Sequence, residues 1–335
     1  MTTAREIHLV TRPVGMPVPE NFRLVERELP APAAGQVLVR NLYMSVDPYM
    51  RGRMREDAVY AAAYELNKVM YGGAVGEVEV SRSDRLKPGD IVLNQCAWRD
   101  RFIADAGTVS RIEPFDRDHL SWYLGTLGMP GLTAYVGLLK FGELDAGNTV
   151  FVSAASGAVG ANVCQIARLK GCRVIGSVGS DEKAKWLKQA CGVDQVINYR
   201  NCDDLSAALH EAAPEGIDVY FENVGGDHLQ AALANMKPFG RIVACGMIQT
   251  YNNATPAPGP NNLMLIVGKK LRIQGFIVSD HMELQDQFQQ DMVAWIKAGK
   301  IKVRETVVDG LDNAVVAFLD LFSGNNFGKM VVKIQ

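Results

Sequence analysis

The stretch Thr149-Val-Phe-Val-Ser-Ala-Ala-Ser-Gly-Ala-Val-Gly160 constrains the fold of this chain more than any other. It places an apolar strand before a turn of small residues and an amphipathic helix. The pattern Ala155-x-Gly157-x-x-Gly160 at the turn is typical of a dinucleotide-binding unit, with alanine in place of the first glycine. Gly157 would let a pyrophosphate approach the backbone, and Gly160 would let the helix pack closely on the strand. A packing turn without a ligand is the alternative.

The regions on either side of Thr149 differ in pattern. Downstream, apolar strands alternate with amphipathic helices, which predicts a parallel sheet covered on both faces. We expect strands near 149–154, 173–178, 194–198, 217–222, 240–245 and 271–278. Upstream, short β-rich runs with glycine and proline between them predict a compact β-rich domain. The expected fold class is therefore α/β, a β-rich domain joined to a doubly wound parallel-sheet Rossmann domain.

The C-terminal part shows two helical patterns and one strand. The first helix pattern precedes Gly299, the second precedes Gly324, and a strand is expected at Lys329-Met-Val-Val-Lys333. The two helix patterns consist of apolar residues at helical spacing, namely Leu284, Phe288, Met292, Trp295 and Ile296 in the first and Val315, Phe318, Leu321 and Phe322 in the second. We interpret both as core packing.

Length and composition exclude several classes of protein. A chain of 335 residues predicts two domains, and a net charge of -2 without a basic segment argues against nucleic acid as a partner. With no apolar leader and no long apolar run, we expect a cytoplasmic protein without membrane segments. The six cysteines and five histidines are scattered without metal-ligand spacing, so we expect reduced thiols and no metal.

The end of the second expected strand decides the choice of cofactor. An acidic residue there would bind the ribose 2′-hydroxyl of NAD, whereas this chain has Ser177-Val-Gly-Ser180 followed by Lys183. Ser180 and Lys183 would suit a 2′-phosphate, which favours NADPH. Asp181 and Glu182 complicate this, but at the start of a helix they are expected to stabilise its N-terminus.

Two of these side chains have a structural alternative. Lys183 is the cation proposed for the 2′-phosphate, but a solvated surface lysine would look the same in the sequence. Tyr199, after the third expected strand, would flank the phosphate or the adenine, but it would equally suit a half-buried packing position.

Five segments spread over nearly the whole chain carry a family resemblance. They are Met44-Ser-Val-Asp-Pro-Tyr-Met-Arg51, Gly128-Met-Pro-Gly-Leu-Thr-Ala-Tyr135, Ala154-Ala-Ser-Gly-Ala-Val-Gly160, Phe221-Glu-Asn-Val-Gly-Gly226 and Asn326-Phe-Gly-Lys329. Together they resemble the prostaglandin reductase and leukotriene hydroxydehydrogenase branch of the zinc-independent medium-chain dehydrogenases/reductases. They are also similar to curcumin reductases and alkenal double-bond reductases.

The resemblance implies a GroES-like catalytic domain over residues 1–127, completed by 300–335, and a Rossmann NADP-binding domain over 128–299. It also implies a homodimer. In addition to Gly157 and Ser180 from the patterns above, the cofactor residues carried over for the pyrophosphate, the 2′-phosphate end and the fourth strand are Ala158, Val159, Gly160, Lys183, Tyr199 and Asn223. Those carried over for the nicotinamide half are Thr133, Cys245, Gly246, Met247, Ile248, Tyr251, Phe276, Ile277, Val278 and Asn326.

The resemblance also implies a metal-free reaction. Zinc-dependent relatives place cysteine or histidine ligands where this chain has Ser45-Val-Asp-Pro and Met129. Without a metal, a hydride would pass from NADPH to the β-carbon of an α,β-unsaturated ketone or aldehyde, and the resulting enolate would need a hydrogen bond and a proton.

Tyr251 is the first candidate to support the enolate or the cofactor ribose, and Tyr49 is the second. For either tyrosine, a core ring with a satisfied hydroxyl is the alternative. Two other functions remain open at this level. One is an NADP-dependent alcohol or hydroxy-eicosanoid dehydrogenase, and the other is a non-catalytic NADPH-binding redox sensor.

Overall fold

The computed structural model describes residues 2–58 and 61–334, which form two compact units. The first unit comprises the chain up to Leu124, the stretch Glu305–Asn326 and the C-terminal segment from Met330. The second comprises Gly125–Arg304 and Phe327–Lys329. The boundaries between the units fall after Leu124 and after Arg304. The bounds expected from the resemblance were after residue 127 and before residue 300.

From Thr149 onward the strands alternate with the α-helices. In chain order the strands are β1 (Thr2–Leu9), β2 (Phe22–Leu29), β3 (Gln36–Ser45), β4 (Lys68–Val69), β5 (Ala74–Ser81), β6 (Ile91–Asn94), β7 (Arg101–Asp105), β8 (Ser110–Ile112), β9 (Thr149–Val152), β10 (Arg173–Val178), β11 (Gln195–Asn198), β12 (Ile217–Glu222), β13 (Met236–Ala244), β14 (Arg272–Gly275), β15 (Glu305–Asp309) and β16 (Lys329–Lys333). The α-helices are α1 (Tyr49–Arg53), α2 (Met129–Val136), α3 (Gly160–Leu169), α4 (Asp181–Ala190), α5 (Leu205–Ala212), α6 (Gly226–Asn235), α7 (Met264–Lys269), α8 (Gln285–Lys297) and α9 (Ala314–Ser323).

The first unit is β-rich, as predicted. One sheet has the order β2-β1-β4, and a larger one has the order β15-β16-β3-β5-β6-β8, with β7 also paired to β3. An aromatic cluster lies in its core, where Trp98 stacks on Phe22 at 6.3 Å and meets Phe318 edge-on at 6.0 Å between ring centroids. Phe318 comes from α9, so the C-terminal stretch completes this core.

The second unit contains a six-stranded parallel sheet of order β11-β10-β9-β12-β13-β14. All six strands lie where the sequence predicted strands, so the doubly wound architecture is confirmed. The order reverses beside β9, and in such sheets ligands bind outside the carboxyl ends of the strands at this point. The residues that follow β9, β10, β12 and β13 therefore form the candidate site.

The predicted C-terminal elements are also confirmed. Helix α8 buries Phe288 and Met292 completely and is followed by Gly299 at φ 68°, and α9 ends at Gly324 at φ 72°. A positive φ is a backbone conformation that glycine adopts without strain, which explains both stops. Among the helices formed by residues 2–58 and 61–334, none is long and apolar enough to span a membrane.

Candidate functional site

The glycine loop follows β9 and leads directly into α3, as the sequence predicted. A Cβ on Gly160 would lie 2.3 Å from the carbonyl oxygen of Ala154 and 2.8 Å from Cα of Ala155. These are backbone atoms that cannot yield easily, so the start of the helix contacts the loop closely only because residue 160 is glycine. Gly157, Ala158 and Val159 are half-buried.

A neighbouring strand accommodates the alanine that replaces the first glycine of the pattern. Ala155 is fully buried, and its N–H donates to the carbonyl oxygen of Ser177 in β10 at 3.0 Å. A Cβ on Gly176 would lie 2.8 Å from Cβ of Ala155. The absence of a side chain at Gly176 therefore makes room for the methyl group of Ala155.

The segment 327–329 is joined to the glycine loop within the second unit. Gly328 forms an isolated parallel bridge with Gly157, and its N–H donates to the carbonyl oxygen of Ser156 at 3.0 Å. The ring of Phe327 lies between Trp186, 5.3 Å away edge-on, and the guanidinium of Arg304, 4.7 Å from the ring centroid. These contacts fix one side of the loop.

Ser180 and Lys183 lie where β10 passes into α4. The Ser180 hydroxyl accepts a hydrogen bond from the backbone N–H of Lys183 at 3.3 Å and so caps the helix. Burial lowers the pKa of the Lys183 ammonium, and the nearby Arg200 cation lowers it further. Lys183 is thus a half-buried cation rather than a fully solvated one.

Tyr199 and Arg200 follow β11 and approach the end of β10. A Cβ on Gly179 would lie 2.8 Å from the Tyr199 hydroxyl and 3.3 Å from Nε of Arg200. The Tyr199 ring is 37% exposed and meets the His228 ring edge-on at 5.1 Å. The sequence analysis missed Arg200, although its signal was a basic residue next to Tyr199 after the third strand.

Asn223 and the turn after β12 depend on a buried carboxylate. Glu222 is fully buried, and its Oε1 accepts hydrogen bonds from the N–H groups of Val224 at 2.6 Å and Gly225 at 2.8 Å. Burial raises the pKa of Glu222, while these hydrogen bonds act in the opposite direction. Asn223 Nδ2 donates to the carbonyl oxygen of Ser153 at 2.8 Å, so this turn is held against the end of β9.

Sequence reasoning also missed Glu222. The available signal was a single acidic residue at the end of the apolar run Val219-Tyr-Phe-Glu222, because charged side chains are rarely buried unless they have partners. The carbonyl oxygen of Glu222 accepts from the N–H groups of Cys245 and Gly246, each at 3.0 Å. Glu222 therefore connects the turns at the ends of β12 and β13.

The turn after β13 carries Cys245 and Tyr251. Burial of the Cys245 thiol, with a smaller contribution from the Glu222 carboxylate, raises its pKa to about 12, so the thiol stays protonated. Tyr251 is half-buried, and its hydroxyl accepts from the N–H of Met247 at 3.4 Å. A Cβ on Gly246 would lie 3.0 Å from that hydroxyl, so the ring lies close over the turn.

The other residues predicted for the nicotinamide half occupy varied environments. Ile248 is half-buried and begins the short 3-10 turn Ile248–Thr250. Thr133 is buried in α2, where its hydroxyl donates to the carbonyl oxygen of Met129 at 2.7 Å. Phe276 stacks on Phe141 at 5.0 Å, Ile277 is exposed, and Val278 begins a 3-10 helix.

Phe141 closes the π-turn Gly137–Phe141 that extends α2. The N–H of Gly142 donates to the carbonyl oxygen of Gly137 at 2.8 Å, which is the spacing of a π-turn. Such turns are frequent at functional sites. Here the turn carries the ring that stacks on Phe276.

Two predicted residues belong to the first unit. Tyr49 is the first residue of α1, where it is half-buried and packs against the core that contains Met50. Its hydroxyl would lie 3.6 Å from a Cβ on Gly72. Asn326 is half-buried and directly precedes the segment 327–329.

No residue pattern suited to a metal ion is found in the described part of the chain. Within residues 2–58 and 61–334, no group of three or more histidine, cysteine, aspartate or glutamate side chains is arranged to hold one. In the segment where zinc enzymes have a ligand, the Ser45 hydroxyl donates a hydrogen bond to Oδ2 of Asp47. Both residues are buried.

Family models match both parts of the chain. The model described as the N-terminal domain of oxidoreductase matches residues 5–112, and the model described as zinc-binding dehydrogenase matches residues 158–298. With the β-rich unit and the parallel sheet that carries the glycine loop, these matches define the class of protein. The chain belongs to the medium-chain dehydrogenase/reductase superfamily.

Relatives of similar length place it more narrowly. It is 42% identical to the NADPH-dependent curcumin reductase of Escherichia coli, over 97% of this chain and 95% of that protein. It is 44% identical to the NADP(+)-dependent 2-alkenal reductase of Nicotiana tabacum, over 90% of this chain and 88% of that one. The crystal structure of CurA from Vibrio vulnificus in complex with NADPH matches with a TM-score of 0.94, at 42% identity and over 99% of each chain. Within the superfamily, the present chain belongs to the branch of the prostaglandin, curcumin and alkenal reductases.

Proposed function

We propose that this protein uses NADPH to reduce the carbon–carbon double bond of α,β-unsaturated ketones or aldehydes. The observation that carries the proposal is the similarity, over nearly the whole chain, to reductases named for curcumin and for 2-alkenals. We infer that the parallel-sheet unit holds the cofactor and that the β-rich unit is the catalytic domain.

The residues of the chain fit NADPH at two points. At the first, the half-buried main chain of Gly157, Ala158 and Val159 precedes α3, where a pyrophosphate would meet helix N–H groups. At the second, the Tyr199 hydroxyl and Nε of Arg200 lie against Gly179, near the half-buried Lys183 ammonium. Two cations at this place suit the 2′-phosphate of NADPH. NADH has a neutral 2′-hydroxyl at the same position.

The proposed reaction needs a hydroxyl group near the reacting atoms, and two tyrosines are candidates for it. When bound, NADPH supplies the hydride that bonds to the β-carbon of the substrate. The electron pair of the double bond then moves toward the carbonyl oxygen, and a proton must reach the α-carbon. We assign Tyr251 as the hydroxyl that hydrogen-bonds the enolate oxygen or the cofactor ribose, and Tyr49 as the second candidate.

We further infer that the reaction needs no metal. The buried Ser45 hydroxyl and Asp47 carboxylate are hydrogen-bonded to each other, and a hydroxyl with one carboxylate is a poor donor set for zinc. The enolate charge would therefore be stabilised by hydrogen bonds and not by a Lewis acid. Activity should survive treatment with a chelator.

We also propose that the protein is a cytoplasmic homodimer. The edge strand β14 exposes all four of its residues, and apolar side chains lie exposed nearby on the same unit. They are Met264 (82% exposed), Val267 (75%), Ile273 (39%) and Ile277 (38%). Pairing of β14 with its copy about a two-fold axis would continue the sheet and cover these side chains. All six cysteines are free, as is usual in the cytoplasm.

The test is NADPH oxidation with a panel of enones and enals, repeated with NADH, after chelation, and with the matching allylic alcohols and NADP. We expect NADPH-preferring, chelator-resistant reduction of the double bond. Tyr251→Phe should lower kcat by roughly tenfold or more, since a hydrogen bond to developing charge is lost. Product analysis should show the saturated carbonyl compound.

Other results would redirect the assignment. Turnover only with the alcohols would indicate a dehydrogenase acting at a carbinol carbon. NADPH binding without turnover over the whole panel, unchanged in the Tyr251→Phe variant, would indicate a non-catalytic sensor. Loss of activity on chelation would contradict the metal-free mechanism.

A further inference from the structure

The loop after β11 is attached to α4 by one carboxylate. Asp181, the first residue of α4, accepts hydrogen bonds at Oδ1 from Nδ2 of Asn198 at 2.6 Å and from Nδ2 of Asn201 at 3.2 Å. The two asparagines flank Tyr199 and Arg200. Asp181 therefore holds both ends of the four-residue loop 198–201.

This attachment determines what the loop presents to the end of β10. The Tyr199 hydroxyl and Nε of Arg200 lie so close to Gly179 that a Cβ there would come within 2.8 Å and 3.3 Å of them. Lys183 lies in the first turn of α4, and the nearby Arg200 cation lowers the pKa of its ammonium. The loop thus brings a second cation next to the first.

Two like charges held close together repel each other, and a bound anion relieves the repulsion. Among residues 2–58 and 61–334, no carboxylate forms an ion pair with Arg200. The nearby Asp181 carboxylate accepts from the amides of the loop instead. A dianionic phosphate bound beside Gly179 would neutralise the pair.

We propose that Arg200 binds the 2′-phosphate of NADPH together with Lys183, and that Asp181 is a positioning residue that selects NADPH by holding the loop 198–201. The proposal rests on the cofactor choice in the proposed function. It gives an acidic residue after the second strand a role opposite to its role in NAD enzymes, where such a residue binds the ribose directly.

Removal of the Asp181 charge distinguishes positioning from simple electrostatics. A carboxylate near a phosphate repels it, so deletion of the charge alone should tighten NADPH binding. If Asp181 acts by holding the loop, deletion should weaken NADPH binding despite that gain. Glu182, the next residue, carries the same charge near Lys183, but among the described residues the loop amides donate to Asp181 and not to Glu182. It is therefore the matched control.

The experiment is equilibrium titration of the full-length protein with NADPH and with NADH, followed by nucleotide fluorescence. Asp181→Ala should raise the NADPH Kd by about tenfold, the scale of a lost charge-assisted hydrogen bond at Arg200, and leave the NADH Kd unchanged. Asp181→Asn keeps an acceptor oxygen and removes the charge, so it should bind NADPH at least as tightly as wild type, and Glu182→Ala should do the same. Arg200→Ala should raise the NADPH Kd by roughly tenfold to a hundredfold.

Steady-state measurement with an enone gives the second readout. The KM for NADPH should rise in Asp181→Ala and Arg200→Ala, and kcat at saturating NADPH should not change. If Asp181→Ala behaves like Glu182→Ala, or weakens both nucleotides equally, the positioning role is wrong. If Arg200→Ala binds NADPH with wild-type affinity, the proposed binding of the 2′-phosphate by Arg200 is wrong. A wild-type protein without preference for NADPH would instead refute the cofactor assignment in the proposed function.

Discussion

At the scale of single residues, the site depends on side chains whose neighbours the sequence does not reveal. Tyr199 was predicted from its place after a strand, but its contact with His228 joins residues 29 positions apart. Arg200 and Glu222 were missed for the same reason, since their significance arises from distances to Gly179 and to the turn 223–225. A sequence motif indicates the chemistry of a loop, but the side chains that contact the loop come from distant parts of the sequence and are known only from the fold.

His228 provides a prediction at this scale. Burial lowers the pKa of its imidazole from 6.5 to about 4. Between these pH values the unfolded chain binds a proton that the folded protein does not bind. Folding stability is therefore fully retained above pH 6.5 and falls as the pH decreases toward 4, by on the order of 3 kcal/mol.

His228→Phe keeps an aromatic ring beside Tyr199 and removes the titration. Urea unfolding of the protein without nucleotide should show that this variant loses less stability than wild type between pH 7 and pH 4. His210→Phe replaces an exposed histidine on α5 and should follow the wild-type pH profile. Parallel profiles for wild type and His228→Phe would contradict the assignment.

At the scale of elements, periodicity was sufficient to locate the six strands of the parallel sheet but not all their ends. Strand β13 begins at Met236, four residues before its predicted start. Pro238 and Gly240 are typical turn residues, so the sequence pattern indicates a strand only after them. The chain does bulge there, since Met236 pairs with Ile217 and the next paired residue is Arg241. Strand β14 ends at Gly275, and Phe276 then turns to stack on Phe141.

The contact between the glycine loop and α3 gives the prediction for an element. Gly160→Ala should destabilise the protein by about 1–3 kcal/mol, because its Cβ would meet backbone atoms, and should also weaken NADPH binding. Gly52→Ala in helix α1 meets nothing within 4 Å and should be neutral or stabilise by about 0.5–1 kcal/mol. Urea midpoints and NADPH Kd values check both, and a Gly160→Ala protein as stable as Gly52→Ala would show that the helix can shift freely.

At the scale of the whole molecule, the sequence was sufficient to predict the fold class and the family. The long apolar strands and the pattern from Thr149 to Gly160 indicated the parallel sheet, and the spread of matching segments indicated the branch. The residue pattern does not predict the oligomeric state in the same way. That state depends on an exposed surface, and a four-residue strand such as β14 looks the same in a sequence whether it lies in the middle of a sheet or at its edge.

Ile273→Arg tests the proposed homodimer. A charged side chain on the edge strand should disfavour pairing of β14 with its copy, so the variant should be monomeric by light scattering while wild type is dimeric. Val316→Arg is the control, because Val316 is 54% exposed but belongs to α9 in the other unit. If the Ile273→Arg protein is still a dimer, the interface lies on a surface other than β14.

The pair formed by Ala155 and Gly176 bears on how distant members of this superfamily should be recognised. In the familiar pattern the first glycine serves the tight turn, whereas this chain has a methyl group there and a glycine opposite it in the adjacent strand, 21 residues further along the chain. A pattern that requires glycine at the first position would score this chain as incomplete, although Gly176 leaves room for the Ala155 methyl group. Scoring positions 155 and 176 as a pair would therefore recognise this form of the loop.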